Sequence, residues 1–343
     1  MLTQQALARP HRRIAILTYT LQNLEEIRRS FESSAGTVPA NVTIYSWYSF
    51  LLRECIRPYQ GALVSEPRIE SIQFVSGRTN NRISRAQVRR YYLAGHHILS
   101  DRASDFVVHC DDLARGRVMA RLADMFDEVY IDEVQDLAGY DLDLLERLLK
   151  TRVETTLVGD TRQATYSTNQ AARNRQYRGT SMLRLFENWQ QRGLCRINHR
   201  TTSWRCLQSL CDLADSLYRD MPRTESGNDA VSGHDGIFVV PPDAVDQYVR
   251  EFSPTVLRYD RNENCGGLPA VNFGESKGRT YTRVLIFPNG PLTRFLQSGD
   301  PRRITSPAKY YVAFTRARFS LAFVFAGPCA LANYKIYPAV GAV

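Results

Sequence analysis

Val129-Tyr130-Ile131-Asp132-Glu133-Val134-Gln135-Asp136 runs from an apolar triplet straight into two adjacent carboxylates. β-Branched and aromatic residues favour a strand. A strand ending in acids presents them at the carboxyl edge of a parallel sheet, where open α/β folds bind ligands. In a nucleotide hydrolase the first acid of such a pair holds Mg2+ through water and the second polarises the attacking water. The dipeptide alone also reads as a strand that ends in a solvated acidic turn.

Downstream, Leu157-Val158-Gly159-Asp160-Thr161-Arg162-Gln163 repeats the design: an apolar strand, a glycine for close backbone approach, then polar groups at the edge. Two such edges on neighbouring strands can share one site.

Around these stretches, short β-branched or aromatic runs alternate with longer amphipathic ones, as expected for strands joined by crossover helices around a mostly parallel sheet. The class is α/β. Strands are expected at Ile14 to Thr20, Val42 to Ser46, Glu128 to Asp132, Thr155 to Asp160, Thr255 to Asp260, Thr282 to Pro288 and Phe319 to Phe325. Leu24, Ile27 and Phe31 mark a helical stripe with Glu25 and Glu26 in its expected first turn. Leu142, Leu145, Leu148 and Leu149 mark another. Pro222 to Gly236 reads as a loop by composition.

With 343 residues the chain has room for about two domains. Their expected limits are 1–190, with a short insertion over about 57–105, and 191–343. No apolar run approaches the roughly 18 residues of a membrane span. The N-terminus lacks the order of a secretory leader, so a cytoplasmic protein with no membrane contact is expected. Seven scattered cysteines without a C-x-x-C pair suit neither a disulfide framework nor a zinc site. The net charge is +9, and only Lys150, Lys277, Lys309 and Lys335 are lysines. A basic balance agrees with a polyanionic partner without requiring one.

DEVQD followed by VGDTRQATY resembles motifs II and III of the UvrD/Rep-like superfamily 1 DNA helicases. ILTYTLQNLEEIRRSF resembles motif Ia, and TIYSWYSFLLREC the next DNA-contacting motif. Arg196-Ile197-Asn198-His199-Arg200 resembles motif IV with histidine in place of tyrosine, Gly274-Glu275-Ser276-Lys277-Gly278 motif V, and Tyr311 to Arg318 motif VI. The order of these stretches is that of the family. The resemblance implies two RecA-like parallel-sheet lobes of a P-loop NTPase helicase, the first truncated at its N-terminus, with reduced accessory domains.

Carried over residue by residue, the resemblance implies that Asp132 and Glu133 serve Mg2+ and water, and that Gln163 senses the γ-phosphate of ATP. Arg200 and Arg316 are implied as arginine fingers, with Lys277 and Gly278 also at the nucleotide. A guanidinium suits that role because its planar donors match phosphate oxygens. For single-stranded DNA, Tyr19, Trp47 and Tyr166 are candidate base-stacking rings, and Thr18, Thr20 and Ser46 candidate phosphate donors. A 3′ to 5′ direction follows from the resemblance alone.

One part of the family's pattern is missing. The phosphate-cradling G-x-x-x-x-G-K-[ST] loop needs a Gly-Lys step, and the 343 residues contain none. Leu2 to Ala8 read as the tail of the helix that follows that loop. The sequence thus admits an ATP-dependent helicase completed by a missing N-terminal segment or a partner protein. It equally admits a catalytically inactive helicase-like remnant that binds DNA or a partner. A nuclease built on Asp132 and Glu133 is a weaker third reading, because it leaves the other motifs unexplained.

Overall fold

Strand β1 (Ile14–Thr18) is buried along its whole length, as a strand covered on both faces must be. The computed structural model describes residues 2–75, 77, 83–169 and 171–337. β1 pairs in parallel with β2 (Val42–Ser46) on one side and β3 (Glu128–Ile131) on the other. β4 (Glu154–Leu157) pairs in parallel with β3, giving the order β2-β1-β3-β4.

The two-residue period of the strands divides the side chains between two cores. Ala15, Leu17, Val129 and Ile131 face one cluster, into which Phe106 and Val107 of one helix (Ala103–Leu113), Leu122 of the next (Arg117–Met125) and Leu145 of a third (Tyr140–Leu149) are packed. Ile14, Ile16 and Tyr130 face the other, with Leu2 and Ala6 of helix α1 (Leu2–Leu7) and Phe31 of helix α2 (Leu21–Ala35). A one-residue slip of any strand would exchange these faces, so the pattern fixes the register.

Helix α2 begins at Leu21, three residues before Leu24, the first residue of the expected stripe. Thr20 caps it, accepting the Asn23 N–H at 3.1 Å, and no acid lies in its first turn. A hydroxyl cap outweighs the weaker dipole preference of Glu25 and Glu26. The expected insertion folds in part as its own three-stranded sheet, Ser71–Gln73, Leu93–Ala94 and His97–Leu99.

The chain divides into two compact units, residues 1–197 and 198–343, seven residues beyond the expected limit. The helix Met182–Gln191 and the turn after it stay with the first unit because Trp189, fully buried, donates its indole N–H to Glu146 at 3.1 Å.

The second unit is built on a parallel six-stranded sheet. Its strands are β5 (Gly236–Val240), β6 (Thr255–Arg258), β7 (Ala270–Asn272), β8 (Tyr281–Ile286), β9 (Ala317–Val324) and β10 (Tyr334–Ile336), in the order β7-β6-β8-β9-β5-β10. Sequence patterning found β6, β8 and β9 but missed the three-residue β7 and β10 and also β5, whose Gly236 sits at the end of the polar loop and masks the start of the strand. All seven cysteines are free thiols. Among the described residues no helix is long and apolar enough to cross a membrane.

Candidate active site at the edge of the first sheet

The chain leaves β3 at Asp132, whose N–H still donates to Leu17 O at 2.8 Å, and turns sharply at Glu133. Glu133 has φ 55° and ψ 40°, the left-handed region that costs a non-glycine residue about 1–3 kcal/mol. A 3-10 turn (Val134–Asp136) follows and reaches back to β4, with Val134 N–H donating to Val158 O at 3.0 Å. The strain aims the Glu133 side chain from a rigid strand end rather than from a loose loop.

Gln135 secures that geometry. Its amide N–H donates to the Glu133 carboxylate, and its carbonyl oxygen accepts the Asp160 backbone N–H at 3.2 Å. Asp160 caps the next turn, accepting the Arg162 N–H at 3.0 Å, the Arg162 Nε–H at 3.0 Å and the Gln163 amide at 3.2 Å. Glu133 and Gln163 are therefore joined by a continuous hydrogen-bond path through Gln135 and Asp160. Gly159 makes room for it: a Cβ there would lie 2.2 Å from Gln135 Oε1 and 3.0 Å from Val134 Cγ1. Sequence reading named the ends of this path but not Gln135 or Asp160, although both lie inside the motifs quoted above.

The donor set fits a nucleotide-bound Mg2+ better than a stand-alone metal. Among the described residues no group of three or more His, Cys, Asp or Glu side chains is placed to hold a metal ion. Mg2+ commonly takes one or two carboxylates and completes its shell with water and phosphate oxygens. Asp132 and Glu133 suit that arrangement, but these residues include no glycine-lysine cradle for the phosphates themselves.

The expected DNA-contacting residues divide sharply. Thr18 is 1% exposed, so its hydroxyl does not reach a phosphate. Trp47 is 2% exposed and donates its indole N–H to Asp141 Oδ1 at 3.0 Å, which leaves no ring face for a base. The cause is local: the helix starts at Trp47, capped by Ser46 accepting the Ser49 N–H at 3.3 Å, and that turn points the indole inward. Thr20 and Ser46 hydroxyls both act as caps, each accepting one backbone N–H and keeping one O–H donor of its own.

Tyr19 remains half-buried, and burial, reinforced by Asp136 and Asp141, raises its hydroxyl above the usual tyrosine range. Its ring lies 6.0 Å from Tyr48, and Tyr48 meets the exposed Phe74 edge-on at 5.0 Å. Tyr166 is exposed as well. Tyr48 and Phe74 were not singled out from sequence; an aromatic in the polar stretch around Phe74 was the available signal.

Asp141 is the buried hub behind this surface. It accepts from Trp47, Ser104, Thr168, Asn169 and the Ala138 N–H, and burial pushes its carboxyl up while these bonds pull it back. Thr168 also carries the Tyr48 hydroxyl on its carbonyl oxygen at 2.8 Å. The hub thus ties the turn after β2 and the segment at Thr168 and Asn169 to the starts of two helices, at Ser104 and Asp141.

In the second unit His199 and Arg200 are exposed on an irregular segment. Lys277 is nearly buried after a 3-10 turn (Gly274–Ser276), and Gly278 has φ 82°, a conformation that suits glycine. Arg316 is 1% exposed, with Nε donating to Val312 O at 2.9 Å, Nη1 to Arg279 O at 3.2 Å and Nη2 to Thr315 Oγ1 at 3.1 Å. The motif's own turn, through Val312 and Thr315, holds two nitrogens of this guanidinium, and the Arg279 carbonyl holds the third.

Parallel α/β units with acids at the carboxyl edge of a sheet define the class, an open α/β fold whose ligand-binding edge carries carboxylates. Within it, residues 100–178 match the family model of the UvrD/REP helicase N-terminal domain, and the chain is similar to the UvrD/REP helicases through that segment. The matched stretch contains β3, β4 and the whole Glu133 to Gln163 path. Among solved structures, the complex of arterivirus nonstructural protein 10 (helicase) with DNA is 14% identical with a TM-score of 0.46, covering 94% of this chain and 56% of that one. The PRRSV helicase is 15% identical with a TM-score of 0.44, covering 94% and 49%. The chain spans about half the length of these structures. No curated protein matches.

Proposed function

We propose that this chain is the motor core of a UvrD-like helicase or translocase that acts on single-stranded DNA, moving 3′ to 5′ and driven by ATP with Mg2+. The observation that carries the reading is the hydrogen-bond path joining Glu133 to Gln163 through Gln135 and Asp160. Such a path makes the water-activating and phosphate-sensing groups a single preorganised unit, which is where phosphoryl-transfer catalysis gains most. Asp132 would hold Mg2+ through water, and the bound nucleotide would supply the bond whose hydrolysis drives movement. Glu133 would accept a hydrogen bond from the attacking water and Gln163 would donate to the terminal phosphate. On the second unit, Arg200, Lys277, Gly278 and Arg316 are the proposed nucleotide contacts. Tyr19 and Tyr166 would stack on bases, with Thr20 and Ser46 donating to phosphates.

The reading requires a phosphate cradle from an N-terminal segment or a partner protein, since these residues lack the Gly-Lys step. That same feature favours the second reading, a cytoplasmic helicase-like protein that binds single-stranded DNA or a partner without turnover. One experiment separates the two: ATP hydrolysis with and without single-stranded DNA, alongside DNA binding, for wild type and Glu133→Gln. DNA-stimulated turnover lost in the variant supports the motor. DNA binding indifferent to nucleotide and without turnover supports the remnant.

A further inference from the structure

Of the three tryptophans, two are core residues with their indole N–H groups bonded to carboxylates, Trp47 to Asp141 and Trp189 to Glu146. Trp204 differs: it is 78% exposed. A tryptophan buries its large ring wherever the fold offers cover, so one displayed on a surface forgoes a substantial apolar gain.

The ring is displayed on a firm base. A Cβ on Gly227 would lie 2.7 Å from Trp204 Cε3, 2.8 Å from Cζ3 and 3.0 Å from Cδ2, so the indole rests against bare backbone that only glycine provides. Both flanking segments are fixed. Thr202–Ser203 pairs in parallel with Glu225–Ser226, and Gly227 N–H donates to Ser203 O at 2.8 Å. Ser226 Oγ donates to Cys206 O at 2.8 Å, and the Asn228 amide donates to Arg205 O at 2.8 Å. One face of the ring is seated while the other is left open.

We infer that Trp204 is a nucleobase-stacking platform on the second unit. Its immediate sequence surroundings are polar, with Thr202, Ser203 and Arg205 on one segment and Glu225 and Asp229 on the other. A nucleobase has a stacking face and polar edges that suit such a frame. Acids and bases around the ring offset each other, so stacking rather than phosphate attraction carries the contact. A ring held before the ligand arrives loses little freedom on binding. The base comes either from single-stranded DNA or from a free nucleotide, and the inference rests on the helicase reading.

Trp204 is the one exposed tryptophan, so indole emission and its quenching by acrylamide report on it directly. The probes are an oligothymidylate, an abasic oligomer of equal charge, and ATP. We expect the oligothymidylate or ATP to quench the emission and shield it from acrylamide, and the abasic oligomer to do neither. Trp204→Ala should bind the quenching ligand about 5- to 100-fold more weakly, by the same factor at low and high salt. Trp204→Phe should recover most of that loss, and Gly227→Ala, by displacing the ring, should reproduce it. Quenching by the oligomer identifies DNA as the source, and quenching by ATP alone identifies the nucleotide. If wild type prefers the oligothymidylate to the abasic oligomer while Trp204→Ala binds every probe as wild type does, the platform is overturned and the helicase reading stands. If wild type binds none of the probes, both fall.

Discussion

The side-chain amide of Gln135 donates a hydrogen bond to the carboxylate of Glu133, two residues earlier in the chain. Because Gln135 also accepts from the Asp160 backbone, the direction of the Glu133 side chain depends on where β4 ends. Positioning errors of about 1 Å cost roughly 100-fold in catalysis. Gln135→Ala is therefore expected to lower DNA-stimulated ATP turnover about 10- to 100-fold and leave single-stranded DNA affinity unchanged. Steady-state hydrolysis beside fluorescence anisotropy checks it, and undiminished turnover would remove Gln135 from the site.

Glu133→Gln keeps the shape of the side chain but removes its basicity, and general-base contributions are about 100- to 10,000-fold. Turnover should fall within that range. A variant as fast as wild type would falsify the role given to Glu133.

Gly159→Ala brings a methyl group against Gln135 Oε1 and Val134, with the Val134 backbone nitrogen only 3.2 Å from the new Cβ. Overpacking of this kind costs about 1–3 kcal/mol. The midpoint of denaturant unfolding should drop accordingly, and turnover should drop with it because Gln135 must move. A stable, fully active variant would show that the path tolerates displacement.

Asp141→Ala takes a buried acceptor from the Trp47 indole and the Ser104 and Thr168 hydroxyls, while the Ala138 N–H keeps Thr168 Oγ1 and the Asn169 amide keeps Ala138 O. The expected loss is about 3–5 kcal/mol, as for a broken buried charged network. Trp47→Phe removes one donor and leaves the carboxylate four others, so it should cost about 1–2 kcal/mol. Chemical denaturation of both variants tests the order; equal losses would contradict a hub at Asp141.

His234 is stacked between Phe238 at 3.8 Å and Phe252 at 3.6 Å, with Nε2 2.9 Å from the Tyr248 hydroxyl. Burial, helped by Arg283, lowers its pKa from 6.5 to about 4. A depressed folded-state value means that the unfolded chain takes up the proton first. The stabilising contribution is complete above pH 6.5 and is lost as the pH falls toward 4, with at most about 3 kcal/mol at stake before solvent screening. His234→Gln should flatten this part of the stability profile of the second unit. A variant with the wild-type slope would place the titration elsewhere.

Much of the first sheet was legible because its strands are short, apolar and end in chemistry. Ile14–Thr18, Val42–Ser46 and Glu128–Ile131 lie where alternation and β-branching place them. β5 was not, because its glycine start blends into the loop before it. The burial of Trp47, a candidate base-stacking ring in the sequence, was not legible for a different reason. Both rings of the pair Trp47-Tyr48 are buried, and the partner that holds the Trp47 indole, Asp141, is far away in sequence.

By itself, the sequence determined the α/β class, the strand ends that carry Asp132, Glu133 and Gln163, and the likeness to a helicase, because these are local features of periodicity and motif. Only the tertiary structure decided that Glu133 is held in a left-handed turn, that Gln135 and Asp160 link it to Gln163, that Asp141 claims Trp47, and that Trp204 lies open on Gly227. Each of those depends on which distant backbone comes within hydrogen-bonding or van der Waals reach, and that distance is set by packing rather than by spacing along the chain.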